Sequence, residues 1–525
     1  MSEVYTRRWW ALATLSLSLV VIGMDNTILN VALPTLVRDL DATSSQLQWM
    51  VDSYVLVFAG LLLTMGALGD RFGRKLALYA GLVIFMAGSV ASAFAGSAEM
   101  LIGTRALMGV GGALIMPSTL SIITATFPES ERGRAIAAWA AMAGLGIIAG
   151  PVIGGWLLER FWWGSVFLVN VPIVGVALLA GLALVPESKD PEATPLDPVG
   201  ALLSVAGLTA LVYGIIEAPN NGWTNALTLS AFGAAAVLLV GFVTWESRTA
   251  HPMLHMSFFR NARFSAASAA ITLIFFGLFG SIFVLTQYLQ FVLGYSALEA
   301  GLRITPFATL VLSAPLAARL VERIGTKAVV AAGLTIAATG LTLIARADLS
   351  AGYAPIGWSL AIIGVGMGAT MAPATDSIMG SLPLAKAGVG SAMNDTTRMV
   401  GGALGVAVIG SVLSSAYGSA VEPALRGLPA PAAAAARDSV GAALEVARRA
   451  GPVAGDLTQS ARAAFVDAMG DALLVGAGII VVGALIVVWR LPSRPRAADL
   501  GVHERKDLAP CLNGPTMDPC RDETL

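Results

Sequence analysis

Fourteen stretches of this 525-residue chain stay apolar for about 20 residues at a time. In hydrocarbon every backbone N–H and C=O needs an internal partner, so a run of that length is stable as an α-helix crossing the bilayer. The runs fall near residues 9–33, 47–68, 77–96, 100–125, 135–157, 165–185, 198–216, 226–245, 264–289, 300–319, 328–346, 356–380, 388–415 and 468–489. The alternating pattern of a β-barrel is absent. Only 12% of residues are charged, about half the share in soluble domains. The predicted fold is an all-α membrane protein with 14 transmembrane helices.

The balance of residues removes several functions. A formal net charge of −1 gives no reason to invoke nucleic acid. No Gly-x-x-x-x-Gly-Lys-Ser/Thr stretch exists, so nothing suggests ATP hydrolysis. His251 and His255 have metal-ligand spacing, but Pro252 lies between them in a loop, and no metal or cofactor is expected. The two cysteines, Cys511 and Cys520, read as free thiols in a polar tail. The first apolar run follows Arg7-Arg8-Trp9-Trp10 and is too long for a signal peptide. The preference for Arg over Lys points to a GC-rich bacterial genome.

Positive charge in short loops sets orientation. One set of loops carries Arg71, Arg74, Lys75, Arg132, Arg134, Lys189, Arg248, Arg260, Arg263, Arg319, Arg323, Lys327 and Lys386. The opposite loops carry little beyond Arg38, Arg160 and Arg346. The first set is expected in the cytoplasm of a bacterial plasma-membrane protein, and the even number of spans puts both termini there too.

The chain also repeats itself. Gly69-Asp-Arg-Phe-Gly-Arg-Lys75 has a weaker copy in Val321-Glu-Arg-Ile-Gly-Thr-Lys327, and Gly81-Leu82 is matched by Gly333-Leu334. Gly109-Val-Gly-Gly-Ala-Leu-Ile-Met-Pro117 pairs with Val365-Gly-Met-Gly-Ala-Thr-Met-Ala-Pro373. Spans 1–6 therefore correspond to spans 9–14. The expected organisation is two pseudo-symmetric six-helix bundles, residues 1–190 and 256–490, with two inserted helices in 191–255. An Ala-rich external loop, 416–467, is expected to hold a short helix around 437–450, and 491–525 a disordered cytoplasmic tail. Such repeats are common in secondary transporters, whose site lies between the halves.

Gly69, Asp70, Arg71, Gly73, Arg74 and Lys75 crowd the turn between spans 2 and 3. Topology alone needs only positive charge. Glycines let helix ends approach closely, and an Asp–Arg pair across a helix end can latch one conformation. In span 5, Gly146, Gly150 and Gly154 recur every four residues, a smooth face for helix contact, and Pro151 adds a kink.

These stretches resemble the major facilitator superfamily, whose signature loop the span 2–3 turn matches. Met24-Asp-Asn-Thr-Ile-Leu-Asn-Val-Ala-Leu-Pro34, Arg105-Ala-Leu-Met-Gly109 and Gly146-Ile-Ile-Ala-Gly-Pro-Val-Ile-Gly-Gly155 are similar to motifs of its fourteen-span drug:proton antiporters. The resemblance covers residues 9–490 and departs at Ala137, where the family has glycine. The last stretch, including Gly155, implies export rather than uptake and a tight contact between the two bundles.

Ionisable residues inside membrane helices are functional candidates. Here they are Asp25, Asp52, Arg105, Asp376, Asp395 and Arg398. Asp25 should lie roughly 12 Å, and Asp52 and Arg105 roughly 8 Å, below the outer surface. Two carboxylates and one guanidinium could thus meet in the first bundle, forming a site that gains and loses a proton as its surroundings change. The resemblance implies proton coupling at Asp25 and proton relay at Arg105. Asp395, within Asn394-Asp-Thr-Thr-Arg398, is implied as a contact for cationic substrates. Met24, Trp49, Tyr54, Met116, Phe276, Gln287 and Tyr288 fall on spans expected to line a central cavity.

The expected function is proton-coupled efflux of small amphipathic, often cationic drugs by a monomer in the lipid bilayer, without ATP. The alternative is an exporter dedicated to one self-made natural product, peptide or lipid. An uptake permease conflicts with the span 5 motif. A membrane-embedded enzyme lacks a catalytic set, since all three His lie in loops or the tail.

Overall fold

The computed structural model describes residues 2–189, 196–347, 352–381, 387–450 and 455–492. Fourteen long helices cross it. The first bundle holds α1 (Ser2–Asp39), α2 (Ser44–Phe72), α3 (Arg74–Ala93), α4 (Ala98–Thr126), α5 (Glu129–Arg160) and α6 (Ser165–Leu184, broken at Val169). The inserted pair is α7 (Pro198–Asn221) and α8 (Ala226–Arg248). The second bundle holds α9 (Ala262–Val292), α10 (Ala297–Ile324), α11 (Thr326–Ile344), α12 (Tyr353–Met379), α13 (Ala387–Val421) and α14 (Gly455–Arg490). Among the described residues, 13 of these are long and apolar enough to span a membrane. The other, α5, has 32 residues, which is also sufficient.

Local chemistry sets the helix ends. Thr43 and Gln46 form a capping box that starts α2, and Ser296 with Glu299 does the same for α10. Asp197 caps α7 ahead of Pro198 at its first position. The repeat is visible in the turns. Gly73, at φ 124°, closes α2 and opens α3, and Gly325, at φ 85°, does so between α10 and α11. Those backbone angles favour glycine. The two following helices repeat a second contact. A Cβ on Gly81 would lie 2.9 Å from the Gly111 carbonyl of α4, and one on Gly333 would lie 2.8 Å from the Gly366 carbonyl of α12.

Within the first bundle α1 packs along α5, and α2 and α3 along α4; within the second, α9 packs along α13 and α11 along α12. The bundles meet where α5 touches α10 and α2 touches α13. Helix α7 lies across the second seam. Gly60 of α2 packs against Val205 of α7, and Ser411 of α13 donates to the Ile215 carbonyl of α7 at 2.5 Å.

Several helices outrun their apolar runs. α13 continues to Val421, and α14 is already helical at Gly455. Hydropathy marks where apolar side chains stop, and the hydrogen-bonded backbone continues beyond that point. The expected long loop is therefore shorter than the hydropathy implies, and among the described residues it holds two helices, Ala430–Asp438 and Val440–Ala450. Ser439 separates them with an extended backbone and accepts the Ala442 N–H at 3.2 Å, capping the second. Most of the predicted tail, from 493 onward, and Lys386 lie outside the described residues.

Candidate functional site

The first bundle encloses a charge pair. Asp25 of α1 is 0% exposed and Arg105 of α4 is 1% exposed. Arg105 Nη1 donates to Asp25 Oδ2, and its Nε donates to the Met50 carbonyl of α2 at 3.1 Å. The guanidinium stands 4.4 Å above the ring of Tyr54, a cation–π contact that strengthens when water is excluded. On the other side of the carboxylate, Asn170 of α6 donates from Nδ2 to Asp25 Oδ1 at 3.4 Å and to Ser89 Oγ of α3 at 2.9 Å. Ser89 Oγ in turn donates to the Phe167 carbonyl at 2.9 Å. Five neighbouring helices therefore build the surroundings of one carboxylate. Removing one member of such a pair leaves an uncompensated buried charge.

Asp52 of α2 is also fully buried, and neither of its oxygens has a hydrogen-bond partner among the described residues.

The second bundle holds its charges more loosely. Arg398 Nη1 reaches Asp395 Oδ1 at 3.5 Å, one turn away on α13. Its Nη2 donates to Thr375 Oγ1 of α12 at 3.4 Å, and its guanidinium lies 5.5 Å from the Phe275 ring centre of α9. Asp376 does not join them. Its side chain is 82% exposed and faces Arg263 of α9 at 3.9 Å. The reason is its place in the last turn of α12, where Pro373, Ala374, Ser377 and Ile378 take the packed face. The expectation of a buried acid at 376 is corrected accordingly.

The charged turn between α2 and α3 is tied within the first bundle. Arg74 Nε donates to Asp70 Oδ1 at 2.7 Å, and its Nη1 approaches the Ser121 carbonyl of α4 at 3.4 Å. Lys75 Nζ reaches the Leu182 carbonyl of α6 at 3.3 Å, and the Arg74 N–H donates to the Ser188 carbonyl at 2.9 Å. Gly73 packs beside the Glu187 carboxylate, and Gly69 sits against Ala77 and Ser118. Arg71 lies over the ring of Phe72.

The glycine-rich stretch of α5 has two working faces. Gly146, Gly150 and Gly154 lie against Val20, Met24, Thr27 and Ile28 of α1, so close that added Cβ atoms would collide. Thr27 Oγ1 reaches across to the Ile147 carbonyl at 3.0 Å. The second face meets the other bundle. A Cβ on Gly155 would lie 2.5 Å from the Ala297 carbonyl of α10, and one on Gly301 of α10 would overlap the Pro151 carbonyl. An apolar crevice beside this contact is lined by Thr27, Ile147, Ile148, Pro151, Ile304 and Phe307.

Met24, Tyr54, Met116, Phe276, Gln287 and Tyr288 are all buried in this conformation, so a ligand reaches them only if the surrounding helices part. Gln287 Nε2 bonds the Phe283 carbonyl of its own helix at 3.1 Å. Trp49 faces α7, donating to Glu217 Oε1 at 3.2 Å.

Contacts between the bundles gather on the face opposite the arginine-rich loops. Gln290 of α9 donates to the Val31 carbonyl of α1 at 3.0 Å. The loop helices add a clasp. Asp438 Oδ2 accepts the Ser44 N–H at the start of α2 at 2.9 Å, and Ser44 Oγ donates to the Asp438 carbonyl at 2.6 Å. Burial pushes the Asp438 carboxyl above its usual range; the Ser44 N–H opposes this and nearby Glu217 adds to it. Gly441 packs between Phe291 of α9 and Val37 of α1.

Sequence reading missed Asn170, Ser89 and Asp438. Ionisable groups stand out inside membrane runs, and an amide or hydroxyl there carries the same kind of signal more weakly.

Two pseudo-symmetric helix bundles joined by an inserted pair, with a charge pair buried in one and a glycine-rich contact between them, define a secondary membrane transporter. Residues 15–406 match the Major Facilitator Superfamily, and the chain belongs to that family. It is 39% identical over 484 residues to the multidrug efflux pump LfrA of Mycolicibacterium smegmatis, covering 92% of this chain and 96% of that protein. It is 31% identical to the tetracenomycin C resistance and export protein of Streptomyces glaucescens, covering 93% of each. The methyl viologen resistance protein SmvA of Salmonella typhimurium is 36% identical, covering 88% of this chain and 93% of that one. A crystal structure of a bacterial homologue of the human lysosomal transporter Spinster shares the fold, with TM-score 0.64 and 18% identity over 93% of this chain and 99% of that chain.

Proposed function

We propose that this transporter exports small amphipathic, often cationic drugs in exchange for protons, by alternating access. The observation that carries the reading is the Asp25–Arg105 pair, sealed from solvent inside transmembrane helices. Membrane interiors seldom hold charge without a task. Asp25 is the proton carrier in this reading, Arg105 its partner, and Asp52 a second carboxyl available to the same route. The names of the relatives supply the substrate class, since a multidrug efflux pump and a methyl viologen resistance protein are among them.

The arginine-rich face is placed in the cytoplasm by the positive-inside rule, with both termini on that side. The contacts of Gly155, Gly301, Gln290 and the loop clasp then close the outer face. Opening outward means separating residues 1–190 from 256–490 at these contacts. The 191–255 insert bridges the seam, and the chain works as a monomer without ATP.

A dedicated natural-product exporter is the second reading, favoured by the tetracenomycin C relative. Inverted vesicles separate the two. With an acid lumen imposed, tetraphenylphosphonium uptake that collapses with a protonophore establishes drug:proton antiport. Absence of uptake by correctly folded protein favours the dedicated exporter.

A further inference from the structure

We propose that Asn170 is the positioning residue for Asp25 and follows it through both protonation states. This inference rests on the reading of Asp25 as the proton carrier. Asn170 is 0% exposed and stands just after the break in α6, between α1 and α3. Its Nδ2 is shared by Asp25 Oδ1 and Ser89 Oγ. Its Oδ1 is buried and has no hydrogen-bond partner among the described residues, a costly arrangement for a carbonyl.

That half-used amide has a chemical consequence. The ionised carboxylate only accepts, and Asn170 offers it an N–H. Once Asp25 gains a proton, its O–H needs an acceptor. Turning the amide about its last torsion exchanges Nδ2 and Oδ1. The carbonyl oxygen then accepts from the Asp25 O–H and from the Ser89 hydroxyl, which leaves the Phe167 carbonyl. No bond breaks apart from these hydrogen bonds, and the single proton gained stays on Asp25. An apolar side chain of the same size serves neither state. The charged and titratable groups placed around the site are Arg105 on α4, Tyr54 on α2 and Asp25 itself.

The test is the pH profile of proton-driven tetraphenylphosphonium uptake in inverted vesicles, for the wild type, Asp25→Asn, Asn170→Leu and Asn170→Asp. Asn170→Leu removes donor and acceptor together, so both protonation states of Asp25 lose a partner and uptake at neutral pH should fall roughly tenfold with the midpoint little moved. Asn170→Asp keeps size and acceptor but loses the donor and adds a like charge, so its profile should move alkaline by about one unit. A purely structural role would lower maximal uptake in both variants and leave the Asn170→Asp midpoint in place; that result overturns the inference. If Asn170→Leu fails to reach the membrane, the isosteric Asn170→Asp decides alone. Full coupled uptake by Asp25→Asn would instead defeat the underlying proton reading.

Discussion

The two bundles hold the same kinds of charge in different ways. In the first, Asp25 and Arg105 are sealed and paired, with Met50, Tyr54, Asn170 and Ser89 completing their surroundings. In the second, Asp395 and Arg398 approach only to 3.5 Å, the Arg398 side chain is 19% exposed, and Asp376 faces outward. Under the proposed reading, the sealed pair is the one that exchanges a proton, and the looser pair beside the Phe275 ring is the one that meets a cationic substrate. The family repeat supplies a common scaffold, and the two halves place different side chains on it.

The largest expected effect breaks the sealed pair. Arg105→Ala leaves Asp25 buried and alone, which should destabilise the protein by about 3 kcal/mol. Thermal unfolding in detergent reads this directly. Asp25→Ala combined with Arg105→Ala should recover part of the loss, since no lone charge remains; a double variant weaker than Arg105→Ala would show that the pair is not the source.

Asp395→Asn addresses the loose pair. Tetraphenylphosphonium binding should weaken by roughly tenfold, about 1.4 kcal/mol, while proton movement per substrate stays intact. Unchanged affinity would remove Asp395 from the substrate site.

A smaller effect concerns the outer clasp. Burial raises the Asp438 carboxyl, so the docked loop holds a proton more firmly than the undocked one. Docking is then strongest in acid and weakens as pH rises through the raised value. Hydrogen exchange in Val440–Ala450, corrected for its intrinsic pH dependence, should lose protection as pH increases, and Asp438→Asn should flatten that trend. Protection that grows with pH in the wild type would reverse the assignment. The smallest effect is expected at Asp376. Its exposed pair with Arg263 should contribute no more than about 0.5 kcal/mol, so Asp376→Asn should melt within a degree or two of the wild type. A large loss would return Asp376 to the functional set.

Much of the fold was legible because membranes force helices wherever apolar runs are long. The repeat was legible through Gly73 and Gly325, whose positive φ angles need glycine. Asp25 and Arg105 stood out because charge is rare inside apolar runs. Depth along a helix does not reveal which way a side chain points, which is why Asp376 reads from sequence as a buried acid. Asn170 was hidden because a single amide in an apolar stretch differs little from ordinary packing until its neighbours on α1 and α3 are known. The clasp at Ser44 and Asp438 joins residues 394 apart in sequence, and no local pattern announces such a contact.

The most direct test measures protons and substrate together. In inverted vesicles, tetraphenylphosphonium entry should drive proton efflux from an acid lumen in the wild type and in Asp395→Asn. Asp25→Asn, inserted and folded, should show no coupled proton movement. Proton efflux retained in Asp25→Asn but lost in Asp395→Asn would contradict the division of labour and place the proton site in the second bundle.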